Sequence, residues 1–199
     1  MEGTIPKLVA DKIIKNREHF HHLNAKAQEK QRLTSPDSPV ARHGFATKPL
    51  ELSSEMHFWR IEDDEELEEF LFEDLLSGLY GETSKEEWEA LPSGYCPLVT
   101  VLEFERHCEF EGWTAVENRS EELSEIIRAY EAVGLRQEAR AIAVVTEAFR
   151  HFVGEPDDLH DVLSAAYHSV PNSTPDFEDR VPVILQFVRI NAHLFATHA

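Results

Sequence analysis

Strong helix signals follow one another along most of this chain, and their succession constrains the fold more than any other feature. Apolar residues recur every three to four positions, a spacing that places them on one face of a helix. Ser84 with Glu87, and Asn118 with Glu121, form the capping-box pattern at the start of such segments. Strand-like alternation of apolar and polar residues does not appear. The sequence therefore predicts an all-α fold, a single multi-helix bundle with an N-terminal helical extension.

Helix-stopping and helix-starting residues give approximate bounds for these helices. Pro97 suits the first position of one helix, Gly134 suits the end of another, and Pro156 suits the start of a third. The predicted helices cover about residues 98–110, 119–133 (opened by the Asn118 cap and stopped by Gly134), 135–153, 159–169 and 177–196, after a short helix around Trp88.

Charge and proline content divide the chain into three parts. Residues 1–33 read as an amphipathic, mildly basic helix, and residues 34–54 as an irregular Pro/Ser-rich connection. Residues 55–199 form the predicted acidic all-helical domain. The formal charge is +4 over residues 1–50, −19 over residues 51–125 and −4 over the remainder. Because an acidic field repels phosphates and anionic lipids, it argues against direct binding to nucleic acid or membranes and favours a basic protein partner.

The acidity is densest in residues 61–76, IEDDEELEEFLFEDLL, where nine carboxylates occupy thirteen positions. On a regular helix Leu67 and Leu71 lie in one apolar stripe, Asp74 falls inside that stripe, and Phe72 and Leu76 open a second one. Glutamates cover the opposite side at a spacing of about 5 to 6 Å along the axis. We predict a partner-binding surface made of Glu62, Asp63, Glu65, Glu66, Glu69, Glu73, Glu86, Glu87, Glu121 and Glu122. The alternative is a solvated face that serves only solubility.

Glu105 lies on the core-facing stripe of its helix, where a carboxylate needs hydrogen-bond partners. The indole of Trp113, the amide of Asn118 and free backbone N–H groups are the expected donors. The order Glu105, Gly112, Trp113, Asn118 and Val133–Gly134 resembles the central motif of a bacterial family of helical DNA-mimic proteins. The resemblance covers about residues 98–195, with Phe110–Glu111 and Ala115–Val116 departing from the family pattern. It implies that these residues are structural, that the fold is helical and dimeric, and that the partner is a DNA-binding protein.

The remaining candidates for chemistry are weak. Glu18, His19 and His22 have metal-compatible spacing but no further ligand, so they predict a solvated face and no metal or cofactor. Cys96 and Cys108 lack a CxxC spacing, which predicts buried free thiols in a reducing, cytoplasmic compartment. The sequence thus favours a non-enzymatic acidic interaction module that binds a DNA-binding regulator. The alternatives are a small enzyme with a carboxylate pocket built around Glu105, Glu109, Trp113 and Asn118, and an immunity-type inhibitor of a basic toxin.

Overall fold

A computed structural model describes residues 4–34, 57–81 and 83–197 of the chain. Those residues form an all-α bundle, as the periodicity predicts. Among them no β-strand occurs, and the extended backbone is limited to an isolated bridge in which the Thr197 N–H donates to the Thr4 carbonyl at 2.9 Å. The predicted connection over residues 34–54 lies outside the described residues from position 35 onward.

The helices follow one another with short connections. Their bounds are α1 Lys7–Thr34, α2 Asp64–Glu69, α3 Leu76–Leu79, α4 Lys85–Ala90, α5 Tyr95–Glu111, α6 Thr114–Asn118, α7 Leu123–Val133, α8 Arg136–Arg150, α9 Leu159–His168 and α10 Phe177–Ile190. A π-helical segment, Phe70–Leu75, joins α2 to α3. Single 3₁₀ turns lie at Phe58–Arg60, Pro156–Asp158 and Ala192–Leu194.

Consecutive helices pack against each other around one apolar core. α5 contacts α7, α7 contacts α8, and α8 contacts α9, while α10 lies against α7 and α2. At one end of the core, the rings of Phe58, Tyr95 and Phe195 meet edge to face with centroids 5.4 to 6.2 Å apart. Such aromatic contacts add to the area they bury, so they anchor the C-terminal turn onto the start of α5.

The first half of α1 is part of this packing. Ile5, Val9 and Ile13 are buried, and Ile13 sits against the backbone of Gly78 in α3, where a Cβ would lie 3.1 Å from its side chain. Further along α1, residues 18–23 are all exposed, including Phe20. The predicted amphipathic helix therefore packs through its N-terminal turns.

α2, the π segment and α3 form one continuous helix, which we call the acidic helix, and the π segment changes its phase. The Leu76 N–H donates to the Leu71 carbonyl five residues back, so one turn holds an extra residue and the following residues rotate by roughly 100°. That rotation merges the two predicted apolar stripes into one face, on which Leu67, Leu71 and Leu76 are all buried. It also moves Asp74 from the stripe to its flank. The π segment and α3 contact α1 on one side and α5 on another.

Several local predictions can be compared with the observed caps. The Ser84–Glu87 capping box is confirmed, with both reciprocal bonds present. The Asn118–Glu121 box is wrong: Asn118 is the last residue of α6, and α7 begins at Leu123 without a side-chain cap. Ala115 and Val116 are buried, so the core draws this segment into an additional helical turn. The Asn118 amide instead donates to the Glu111 carboxylate at 2.8 Å.

Two further predictions need correction. Pro97 is the third residue of α5 and not the first. Proline is tolerated at this position too, because the N–H groups of the first helical turn have no acceptor within the helix. Cys96 beside it is exposed, contrary to the prediction of a buried thiol. Cys108 is half-buried, and burial raises the pKa of its thiol to about 12.

Candidate functional site

Glu105 forms the centre of a buried ionic network. Arg180 donates from Nε to Oε1 at 2.6 Å and from Nη2 to Oε2 at 2.9 Å, and the Tyr130 hydroxyl donates to Oε1 at 2.8 Å. The Glu105 side chain is 2% exposed and the Arg180 side chain 10%. This two-point geometry orients both groups and joins α5, α7 and α10. The prediction of a buried, hydrogen-bonded Glu105 is confirmed, but the expected donors, Trp113 and Asn118, are wrong.

A second carboxylate, Glu138 of α8, shares the same arginine. Its Oε2 lies 3.6 Å from Arg180 Nη1 and accepts from the Tyr167 hydroxyl at 2.7 Å and from the Asn172 amide. Arg180 Nη1 also donates to the Pro175 carbonyl at 2.7 Å. Burial, and to a smaller extent the charge of Glu105, raises the pKa of Glu138 against the opposing effect of Arg180. The network therefore holds two carboxylates around one guanidinium.

The arrangement assigns Glu105 a structural role. Both of its oxygens are engaged by Arg180 and Tyr130, and no residue of this network lines either of the two surface pockets described below. Glu109 and Asn118, which the enzyme alternative placed beside it, are exposed and line different pockets. The residues of that alternative therefore do not converge on one site.

The other motif residues shape the backbone around the network. Gly112 ends α5 with φ 57° and ψ −136°, a conformation that side chains with a Cβ rarely adopt. After this turn the Trp113 ring packs on Tyr167, with centroids 5.2 Å apart. Gly134 ends α7 in the left-handed region with φ 102°.

The acidic helix is attached to the bundle by three arginines from three different helices. Arg17 of α1 forms a two-point ion pair with Asp74, Arg189 of α10 pairs with Asp64, and Arg106 of α5 lies 3.8 Å from Glu73. Arg189 also donates to the Ile61 carbonyl at 3.0 Å. These pairs involve the two ends of the helix, so the carboxylates between them are left facing outward.

The predicted binding residues on this helix and at the two positions before it, which we call the ridge, are exposed. They are Glu62, Asp63, Glu65, Glu66, Glu69 and Glu73. Asp63 is also the N-cap of α2, accepting from the Glu66 N–H at 2.9 Å. Within the described part of the chain, no lysine or arginine forms an ion pair with Glu62, Glu65, Glu66 or Glu69. Their negative charge is therefore not neutralised by any residue that the structure describes.

The other predicted binding residues lie on α4 and before α7, and their environments differ. Glu86 and Glu121 are exposed. Glu87 caps its own helix and lies 3.1 Å from Lys12. The hydrogen bond from the Ser84 N–H lowers the pKa of Glu87, and Lys12 lowers it further. Glu122 pairs with Arg119, which also pairs with Glu103. Much of the charge on Glu87 and Glu122 is thus already compensated inside the protein.

A groove of about 500 Å³ lies between the acidic helix and the end of α5. We call it the acidic–aromatic groove; its lining residues are Glu65, Glu68, Glu69, Phe72, Glu73, Arg106, Glu109, Phe110 and Phe177. Phe72 and Phe177 meet edge to face, with centroids 5.4 Å apart. Partial burial, then the charges of Glu65 and Glu178, raise the pKa of Glu68. Five carboxylates against one arginine make this groove strongly negative.

A second surface pocket, of about 390 Å³, lies between α4, α5 and the segment before α7. Tyr80, Trp88 and His107 line it together with the Glu103–Arg119–Glu122 cluster. The His107 Nδ1 lies 3.4 Å from Glu111 Oε1. Because Arg119 already satisfies both neighbouring carboxylates, this pocket carries less uncompensated charge than the acidic–aromatic groove.

Sequence reasoning missed residues of both sites. On their own helices Arg180 is in phase with the buried Ile184, and Glu138 with the buried Ile142. That periodicity was the signal that both side chains face the core. No pattern in the sequence predicts that Phe110 and Phe177 line the groove, since residues from α5 and α10 meet the acidic helix only through the tertiary packing.

The described residues hold no group of three or more metal-ligating side chains, and none of their helices has the length and apolarity needed to cross a bilayer. Glu18, His19 and His22 are exposed on α1. Comparisons with models of protein families, with curated proteins and with solved structures found no match to this chain.

Proposed function

We propose that this protein is an acidic interaction module that binds a basic surface of another protein. The observation that carries the proposal is the exposed charge of Glu65, Glu66 and Glu69 on a helix held in place by arginines at its two ends, with Glu62 just before that helix. Within the described residues none of these four glutamates forms an ion pair. Fixed charges on a rigid helix attract an opposite surface without first having to be ordered. The resemblance to DNA-mimic proteins supports a DNA-binding regulator as the partner. A basic toxin would also present a positively charged surface to these carboxylates.

The test replaces the five ridge glutamates with glutamine, a change that keeps side-chain size and helix propensity. The positions are Glu62, Glu65, Glu66, Glu69 and Glu73. The variant should fold, because these side chains face water and their mutual repulsion is relieved. Proteins captured from a native lysate at low salt should bind less, with slower association and weaker salt dependence.

A matched control separates position from total charge. It carries the same five-fold Glu-to-Gln change at exposed sites outside the ridge, namely Glu117, Glu125, Glu131, Glu147 and Glu155. The control should retain the partners that the ridge variant loses. Equal capture by the ridge variant and the parent, with the same salt dependence, would show that the ridge is only a solvated face.

A further inference from the structure

One side chain of the acidic–aromatic groove is unusually exposed for its type. Phe110, at the end of α5, is 79% exposed, whereas Phe72 and Phe177 in the same groove are partly buried against each other. Leaving an aromatic ring in water forgoes the free energy of its burial. The ring therefore offers an unused apolar face beside the groove's carboxylates.

The resident cation of the groove does not neutralise it. Arg106 donates to the Phe72 carbonyl at 3.3 Å and to the Ser77 hydroxyl at 3.4 Å, and its nearest carboxylate is Glu73 at 3.8 Å. These contacts direct the guanidinium toward the end of the acidic helix. Within the described residues, Glu65, Glu68, Glu69 and Glu109 form no ion pair.

An exposed aromatic ring among uncompensated carboxylates fits a planar cation. A guanidinium stacks on an aromatic face and donates two parallel hydrogen bonds to a carboxylate, whereas an ammonium is a strongly hydrated point charge. We propose that the acidic–aromatic groove binds an arginine side chain of the basic partner, with the guanidinium stacked on Phe110 and paired with Glu68 or Glu109. This inference rests on the proposed function and adds a preference for arginine over lysine.

The test uses two synthetic peptides as probes: a short arginine-containing basic peptide, and the same peptide with every arginine replaced by lysine. Affinities are measured calorimetrically at low and at moderate salt. The parent should bind the arginine peptide about two- to five-fold more tightly, the range expected of an exposed cation–π contact. Phe110→Ala should abolish that preference and keep salt-dependent binding to both peptides. Phe20→Ala, which removes an exposed ring on α1, should retain the preference.

The outcomes separate this inference from the proposed function. If the parent shows no preference, or if Phe110→Ala leaves the preference unchanged, the arginine site is refuted. If the parent binds both peptides and the variant with all five ridge glutamates replaced binds neither, recognition by charge is still supported. Failure of both peptides to bind, with no salt-sensitive capture from lysate, refutes both ideas. If the groove instead binds a second copy of this chain, the parent should self-associate and Phe110→Ala should not. That result would also overturn the proposal.

Discussion

Replacing Glu105 with alanine should destabilise the protein by about 3 kcal/mol. Breaking a buried ion pair by removing one partner costs about 3 to 5 kcal/mol, because the other charge stays buried. Here the lower end applies, since Arg180 keeps Glu138 at 3.6 Å and the Pro175 carbonyl at 2.7 Å. The Tyr130 hydroxyl also loses its acceptor, and that loss is included in the figure.

The free energy of unfolding, from urea denaturation followed by circular dichroism, measures this loss. Glu109→Ala is the matched control, because Glu109 is an exposed glutamate on the same helix, and it should change stability by less than about 0.5 kcal/mol. A double-mutant cycle with Arg180→Met should give a coupling energy of about 1 to 3 kcal/mol. A Glu105→Ala variant as stable as the Glu109 control, or additive single effects, would refute the structural role of the network.

Two other predictions concern the same network and the aromatic core. Because the folded-state pKa of Glu138 is raised above 4.5, the folded protein retains a proton that the unfolded chain has released, so this carboxyl's contribution to stability falls as pH rises between the two pKa values. Glu138→Gln should therefore gain stability relative to the parent as pH rises across that interval in denaturation series, and a constant difference would contradict it. Tyr130→Phe should cost about 1 to 2 kcal/mol, whereas Tyr95→Phe should be neutral or stabilising, since within the described residues its buried hydroxyl has no hydrogen-bond partner. Equal losses for the two tyrosines would show that their hydroxyls do not differ in this way.

Local sequence patterns determined the helical class and several boundaries. The Ser84–Glu87 box, the Gly134 terminator and the apolar period around Ile126 depend on backbone hydrogen bonding and on which side of one helix meets the core. The exposure of the ridge glutamates could also be predicted from the sequence. Charged residues opposite an apolar stripe face water, whichever element packs on that stripe. The burial of Glu105 followed from the same reasoning.

The partners of those residues were decided by the tertiary structure. Arg180 lies 75 positions from Glu105, and although its phase with Ile184 indicates that it faces the core, no local pattern pairs it with Glu105. The Asn118 capping box failed because burial of Ala115 and Val116 outweighed a side-chain cap worth about 1 kcal/mol. In each case long-range packing decided between alternatives that the local sequence left open.

The π segment shows the same division within a single helix. The sequence of residues 61–76 determined that a helix would form, with two apolar stripes and Asp74 inside one of them. Packing against α1 and α5 decided that an extra residue would enter one turn, which merged the stripes and brought Asp74 to Arg17. Leu75, Leu76 and Leu79 are all buried in this arrangement, and only the assembled core supplies that burial.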